Sequence, residues 1–253
     1  MPNIPHKVVI VTGAAHGIGS AVALAFARQR VGVVAVDIDS EVEALTRSPP
    51  EITSDHLWPV QADCTSTRQL SHLVSEIQLR WQRIDVLVNS AGGFGRWAET
   101  ADVDDEEWER MITLNLSSVF RCSRAVIPTM SKQQSGRIIN IASQAGVTPN
   151  PYAPSYVPYG TAKAGVLGFT RLLAKELGPQ GITVNAISPG TVATARVRAL
   201  RDTASLQTIA QQNPLRTLID VEDCAAAALF LASDAARHIT GINLNINAGS
   251  VMV

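Results

Sequence analysis

Cysteine is scarce in this chain: Cys64, Cys122 and Cys224 are the whole complement in 253 residues. They are far apart and odd in number, which argues against a disulfide framework and gives no metal-ligand spacing. Buried, reduced thiols are the expected state, and no metal site is expected. Charge is scarce as well, at 17 % of residues where roughly a quarter is usual. Acidic and basic side chains nearly cancel, leaving a net charge of −1. That balance leaves no electrostatic footprint for nucleic acid or for an anionic membrane surface. No apolar run approaches the roughly 18 residues that span a bilayer. Met1–His6 carry two prolines where a secretory leader would carry basic and then apolar residues. The expected compartment is the cytoplasm.

What is present is apolar: 46 % of residues are hydrophobic, enough for a large core and for further surface buried between subunits. Short apolar runs alternate with longer helical stretches, with no break in composition to divide the chain. The runs Lys7–Thr12, Val31–Asp37, Leu57–Ala62, Ile84–Asn89, Arg137–Ala142, Ile182–Ile187 and Ile242–Ile246 read as strands. Helices are expected at Gly17–Arg30, Ser66–Trp81, about Asp104 to Met130, Tyr159–Leu177 and Val221–Ala232. The Ser66–Trp81 stretch shows the helical pattern, with Leu70, Leu73, Val74 and Ile77 on one face. Strands apolar throughout have both faces covered, and strands joined by helices are parallel. The expectation is an α/β doubly wound parallel sheet with helices on both faces, a single Rossmann-type domain over residues 1–253. Two segments break the rhythm. One is the proline-rich Val147–Pro158; the other is Thr191–Asn213, a polar excursion expected to act as a substrate-binding lid.

The first strand runs into Gly13, Gly17 and Gly19 just before a helix. A strand–turn–helix with glycines at these places lets a pyrophosphate approach bare backbone at a helix N-terminus. The second strand ends in Asp37, whose carboxylate can accept from both ribose hydroxyls and repel a 2′-phosphate, which predicts NAD rather than NADP. The same aspartate could instead cap a turn, since Asp39-Ser40 follows. His16 could meet a 2′-phosphate, but a neutral imidazole does so poorly. Asp63 is placed to reach an adenine. Asn89-Ser90-Ala91-Gly92 ends the fourth strand with residues small enough for a cofactor to lie close.

Tyr159 and Lys163 stand four apart on an expected helix and share a face. A nearby ammonium favours a phenolate, and lowering a phenol by about two units takes roughly 2.7 kcal/mol. Such a tyrosine can exchange a proton with an alcohol or ketone near neutral pH.

With these residues in hand, the chain resembles the short-chain dehydrogenase/reductase family, over essentially its whole length. The resemblance is carried by Thr12–Gly19, Asp63, Asn89–Gly92, Asn115, Ser143, Tyr159 with Lys163, and Pro189-Gly190 followed by Thr194. It implies that Tyr159 is the general acid/base, that Lys163 tunes it and holds the nicotinamide ribose, and that Ser143 polarises the substrate carbonyl. It implies that Asn115 holds a water linking Lys163 to solvent. Pro189, Gly190, Val192 and Thr194 are expected at the nicotinamide carboxamide, and Ile18, Ile38, Cys64 and Ala91 among the other cofactor contacts. A homotetramer is implied as well.

Two departures from the family pattern stand out. Ser143 and Tyr159 are farther apart than is usual, and Tyr156 occupies the usual spacing; but Gly160, not a lysine, lies four residues beyond Tyr156, which favours Tyr159. Asn89-Ser90 replaces the usual Asn-Asn. The substrate is expected against Phe94, Gln144, Tyr152 and Tyr156. Arg196, Arg198 and Arg201 could hold an anion, although three arginines on a helix also make a solvated face. The first reading is an NAD(H)-dependent oxidoreductase interconverting a small-molecule secondary alcohol and its ketone. The alternative is an NADPH-dependent reductase of 3-oxoacyl thioesters on acyl carrier protein. A dinucleotide-binding sensor without catalysis is the third, which fold alone leaves open.

Overall fold

The computed structural model describes residues 5–47, 56–95, 97–149 and 155–253. Seven strands form one parallel sheet in the order β3-β2-β1-β4-β5-β6-β7. They are β1 (Val8–Thr12), β2 (Gly32–Asp37), β3 (Leu57–Gln61), β4 (Val86–Asn89), β5 (Gly136–Ile141), β6 (Ile182–Pro189) and β7 (Asn243–Ile246). The helices that cover it are α1 (Gly17–Arg28), α2 (Thr67–Trp81), α3 (Asp105–Ile112), α4 (Ser118–Gln133), α5 (Val157–Leu177), α6 (Ala195–Leu200), α7 (Thr203–Gln212) and α8 (Val221–Leu231). The chain belongs to the doubly wound α/β class that its apolar strands foretell.

The central strands β1 and β2 are apolar up to their last residue because each face has its own core. Val9 and Val11 of β1 pack with Val22, Phe26 and Leu231 on the α1/α8 side. Val8 and Ile10 pack with Leu70, Ile77 and Met130 on the α2/α4 side. The order of winding reverses between β1 and β4, which pair side by side. That reversal opens a crevice at the carboxyl ends of the strands, where folds of this kind bind ligands.

The stretch from Asp104 to Met130 is not the single helix expected. α3 and α4 are joined by a five-residue π-helical turn, Thr113–Ser117, whose centre, Asn115, is buried. Such turns are costly and cluster at functional sites. The excursion after β6 folds into the short helices α6 and α7.

Beneath the crevice lies a buried polar ladder. Asn89 Nδ2 donates to Asn140 Oδ1 at 2.8 Å and to Ser123 Oγ at 3.2 Å, and Asn140 Nδ2 donates to Thr170 Oγ1 at 2.9 Å. These bonds lock β4, β5, α4 and α5 together under the site, because a buried amide left unbonded is costly.

Candidate active site

The cofactor end is built on the turn between β1 and α1. Thr12 Oγ1 accepts from the backbone N–H groups of Ser90 and Ala91, each at 3.1 Å, and so ties this turn to the end of β4. Gly13 has φ +66, and a β-carbon there would lie 2.7 Å from the Ala91 backbone. Only glycine meets both demands. The first turn of α1 carries no acidic residue, and its N-cap, His16, makes no side-chain capping bond. N–H groups are thus left for an anion. On these observations the turn fits a dinucleotide's pyrophosphate.

Asp37 does not present an open carboxylate. Its Oδ2 accepts from Ala15 N–H at 2.9 Å and its Oδ1 from Asp39 N–H at 3.0 Å, so it braces the turn, the capping role that competed with the ribose reading. His16, on the rim, pairs with Asp39 at 3.1 Å. Asp63 Oδ1 accepts from the Thr65 amide and hydroxyl, both at 2.7 Å, and closes its own turn. Ile38 is exposed on the rim, whereas Cys64 is buried in the α2/α4 core beside Cys122. The Asn89 side chain belongs to the ladder below the crevice. The side chains of Cys64 and Asn89 are therefore buried, one in the α2/α4 core and the other in the ladder. Ile18 packs against the α1/α8 core and also against Val192, Ile219 and Cys224 beside the excursion after β6.

On the side of the excursion after β6, Pro189 ends β6, Gly190 lies against Asn247, and Val192 bridges to Ile219. The Thr194 hydroxyl was expected at the carboxamide; it caps α6 by accepting from Val197 N–H at 3.2 Å, and its methyl covers Gly17.

The chemical end gathers residues from four elements. Lys163 is 4 % exposed, and its Nζ donates to the Ile141 carbonyl at 2.8 Å and lies 5.8 Å from the centre of the Tyr159 ring. Burial lowers its ammonium to about 8. Gly92 must be bare, because a β-carbon there would come within 2.7 Å of Asn115 Oδ1 and 3.4 Å of Lys163 Nζ. Asn115 clamps the neighbouring residue: its Oδ1 accepts from Gly93 N–H at 2.9 Å, and its Nδ2 donates to Gly93 O at 3.0 Å and Met111 O at 3.1 Å. The Ser143 side chain faces Tyr159 and favours its ionised form, and Ser143 Oγ accepts from Ala145 N–H at 3.1 Å. Burial pushes the Tyr159 phenol up, and Ser143 and the Arg196 charge oppose that. Desolvation is the largest influence on this phenol.

Tyr156 occupies a different niche. It is the N-cap residue of α5, and its hydroxyl donates to Glu107, which Arg110 grips with two bonds of 2.6 and 2.9 Å. Burial, then Glu107, pushes the Tyr156 phenol up to about 12. A cleft lined by Trp97, Asp104, Glu107 and Arg110 opens beside it. Tyr156→Phe is expected to leave kcat within about twofold and to cost about 1 kcal/mol of stability, one part-exposed hydrogen bond. Steady-state kinetics and thermal melting check both. Gln144 accepts from Ser250 at 2.7 Å, so the C-terminal segment reaches the site, which no local sequence signal indicates. Phe94 stacks edge-on against Tyr159 with centroids 6.0 Å apart. Tyr152 lies outside the described residues. Among the described residues no His/Cys/Asp/Glu group is arranged to hold a metal ion, and no helix is long and apolar enough to cross a membrane.

The glycine turn, the doubly wound sheet and the Ser143–Tyr159–Lys163 grouping define a class. A family model described as Enoyl-(Acyl carrier protein) reductase matches residues 13–250. The chain belongs to the short-chain dehydrogenase/reductase family of oxidoreductases. Among its relatives, a 3-oxoacyl-[acyl-carrier-protein] reductase of Synechocystis sp. is 40 % identical over 255 residues, covering 100 % of both chains. The enzyme of the same name from Thermotoga maritima is 36 % identical, covering 97 % of this chain and 98 % of its own. That of Escherichia coli is 36 % identical, covering 99 % and 100 %.

These relatives correct two expectations. The reading as an NAD(H)-dependent dehydrogenase of secondary alcohols gives way to the alternative, the thioester reductase. The preference for NAD falls with it; Asp37, on which it rested, also braces the turn by accepting from Ala15 and Asp39.

Proposed function

We propose that the protein reduces the 3-oxo group of acyl thioesters carried on acyl carrier protein, with NADPH as the reductant. The observation that carries this reading is the full-length likeness to 3-oxoacyl-[acyl-carrier-protein] reductases. The gathering of Ser143, Tyr159 and Lys163 at the mouth of the crevice supports it.

When bound, the reduced nicotinamide supplies the hydride that the C3 carbonyl carbon receives. The chain's own groups do the rest. The turn at Gly13–Gly19 and the N-terminus of α1 hold the pyrophosphate. Ser143 donates to the C3 carbonyl oxygen and draws electron density from the carbon. Tyr159 gives that oxygen its proton, so a C=O bond becomes a C–H and an O–H. A phenol pushed up by burial is protonated at neutral pH, the form that a reduction needs. Lys163, held by Ile141 O, lies behind the Tyr159 ring, where it holds the ribose and returns a proton to the phenolate. Asn115 fixes Gly93, and with it the loop that forms one wall. The segment 191–213 serves as the lid.

The test is steady-state reduction of a 3-oxoacyl thioester on acyl carrier protein by NADPH, beside a cyclic ketone of similar size. A kcat/KM at least tenfold higher for the thioester, about 1.4 kcal/mol, is expected. Equal values, or a preference for the ketone, would count against the proposal.

A further inference from the structure

Three arginines lie on or beside α6, and they are not alike. Arg198 turns back on its own segment, donating to Ala193 O at 3.3 Å. Arg196 reaches away from it. Its Nη2 donates to the Phe94 carbonyl, and its guanidinium carbon lies 5.2 Å from the centre of the Phe94 ring. A guanidinium in contact with both a carbonyl and a ring face uses its donor fork and its planar face together, which a lysine cannot do. The guanidinium also lies along Gly93, where a β-carbon would sit 2.7 Å from Nη1. Phe94 in turn meets Tyr159 edge-on. One side chain therefore spans from α6 to the loop after β4, gripping the Phe94 whose ring meets Tyr159.

We propose that Arg196 is a positioning residue: it latches α6 to the Gly93–Phe94 loop and holds a cation beside the phenol of Tyr159. This role deepens the reductase reading and rests on Tyr159 as the acid/base. The groups that face Tyr159 are Ser143, Lys163 from α5 behind the ring, and Arg196 from α6. Glu107 and Arg110, on α3, are joined to each other and to Tyr156 instead. Lys163 is fixed by Ile141 O and buried. Arg196 is the cation that moves with the lid, and it ties lid closure to the charge the phenol feels: when α6 lifts, the phenol loses that charge.

The chain has three tyrosines, so ring-carbon NMR of protein labelled at tyrosine reads Tyr159 directly, with Tyr159→Phe assigning the signal. Its readout needs no substrate and stands even if the thioester is not turned over, a failure that would strike the reductase reading alone. Arg196→Met keeps the stem and removes the charge; Arg196→Lys keeps the charge and loses the fork. The ionisation midpoint of Tyr159 is expected to rise by about half a unit in the Met variant, a modest effect because the guanidinium is exposed, and by less in the Lys variant. Amide exchange at Arg201, bonded to Val197 O at 3.0 Å, is expected to quicken by about tenfold in both variants, the loss of one stacked, hydrogen-bonded contact. An unmoved midpoint in Arg196→Met overturns the proposal, and so does unchanged exchange.

Discussion

Tyr159→Phe is expected to slow reduction of a 3-oxoacyl thioester by about 10²–10⁴-fold while the protein stays folded. The size of the loss follows from what the hydroxyl does. The oxygen of a reduced carbonyl must receive a proton, and a positioned hydroxyl supplies it faster than unpositioned water does. Tyr159 faces Ser143, and burial pushes its phenol further above the neutral range in which it is already protonated. Phenylalanine keeps the ring, so the edge contact with Phe94 at 6.0 Å survives. Coenzyme binding and thermal stability should therefore change little while kcat collapses. Tyr156→Phe is the matched control, because its hydroxyl serves Glu107 and not Ser143. If Tyr156→Phe were the inactive variant and Tyr159→Phe active, the acid/base assignment would be reversed.

Lys163→Met is expected to make the protein inactive and more stable. The ammonium is buried, and burial depresses it to about 8 from an ordinary value of 10.5. An unfolded chain keeps its proton up to that ordinary value. Between pH 8 and 10.5 the unfolded state binds more protons than the native one, so stability rises with pH across that window. Below it the full cost of burying the charge falls on the native state, about 3 kcal/mol for a shift of this size. Methionine removes that cost, but leaves the Ile141 carbonyl without its 2.8 Å donor, a loss of about 1–2 kcal/mol. The net gain at pH 7 is about 1–2 kcal/mol, and it should vanish by the upper end of the window. Chemical denaturation of both proteins across pH checks the sign: a gain that persisted above pH 10.5 would mean that desolvation is not its source. Activity should fall by at least about 10²-fold, since no group near Tyr159 replaces the ammonium in returning the proton.

Much of the fold was legible because its signals are local. Strands such as Val8–Thr12 and Gly32–Asp37 are apolar throughout, and only a sheet covered on both faces makes that necessary. Glycines between β1 and α1 mark a turn whose backbone angles and close contacts no other residue allows. The spacing of Tyr159 and Lys163 puts both on one face of α5. What was not legible depends on partners distant in sequence. Nothing local tells Thr113–Ser117 to widen into a π turn; Asn115 does so where it clamps Gly93, 22 residues away in sequence. The carboxylate of Asp37 also turns to Ala15, a bond that forms only once β1 and β2 lie side by side, whereas its bond to Asp39 is local. The tail residue Ser250 meets Gln144 across 106 residues. Arginines on a short polar helix read equally as a solvated face, and only the loop after β4 distinguishes Arg196 from Arg198.

The most direct test of the reductase assignment follows a labelled hydride. NADPH deuterated at the transferable position is mixed with the protein and a 3-oxobutanoyl thioester of acyl carrier protein, and the product is analysed by mass spectrometry. The account predicts one deuterium at C3 of a 3-hydroxybutanoyl thioester for each NADPH consumed. A thioester recovered unlabelled and unreduced, with the coenzyme bound, would contradict it.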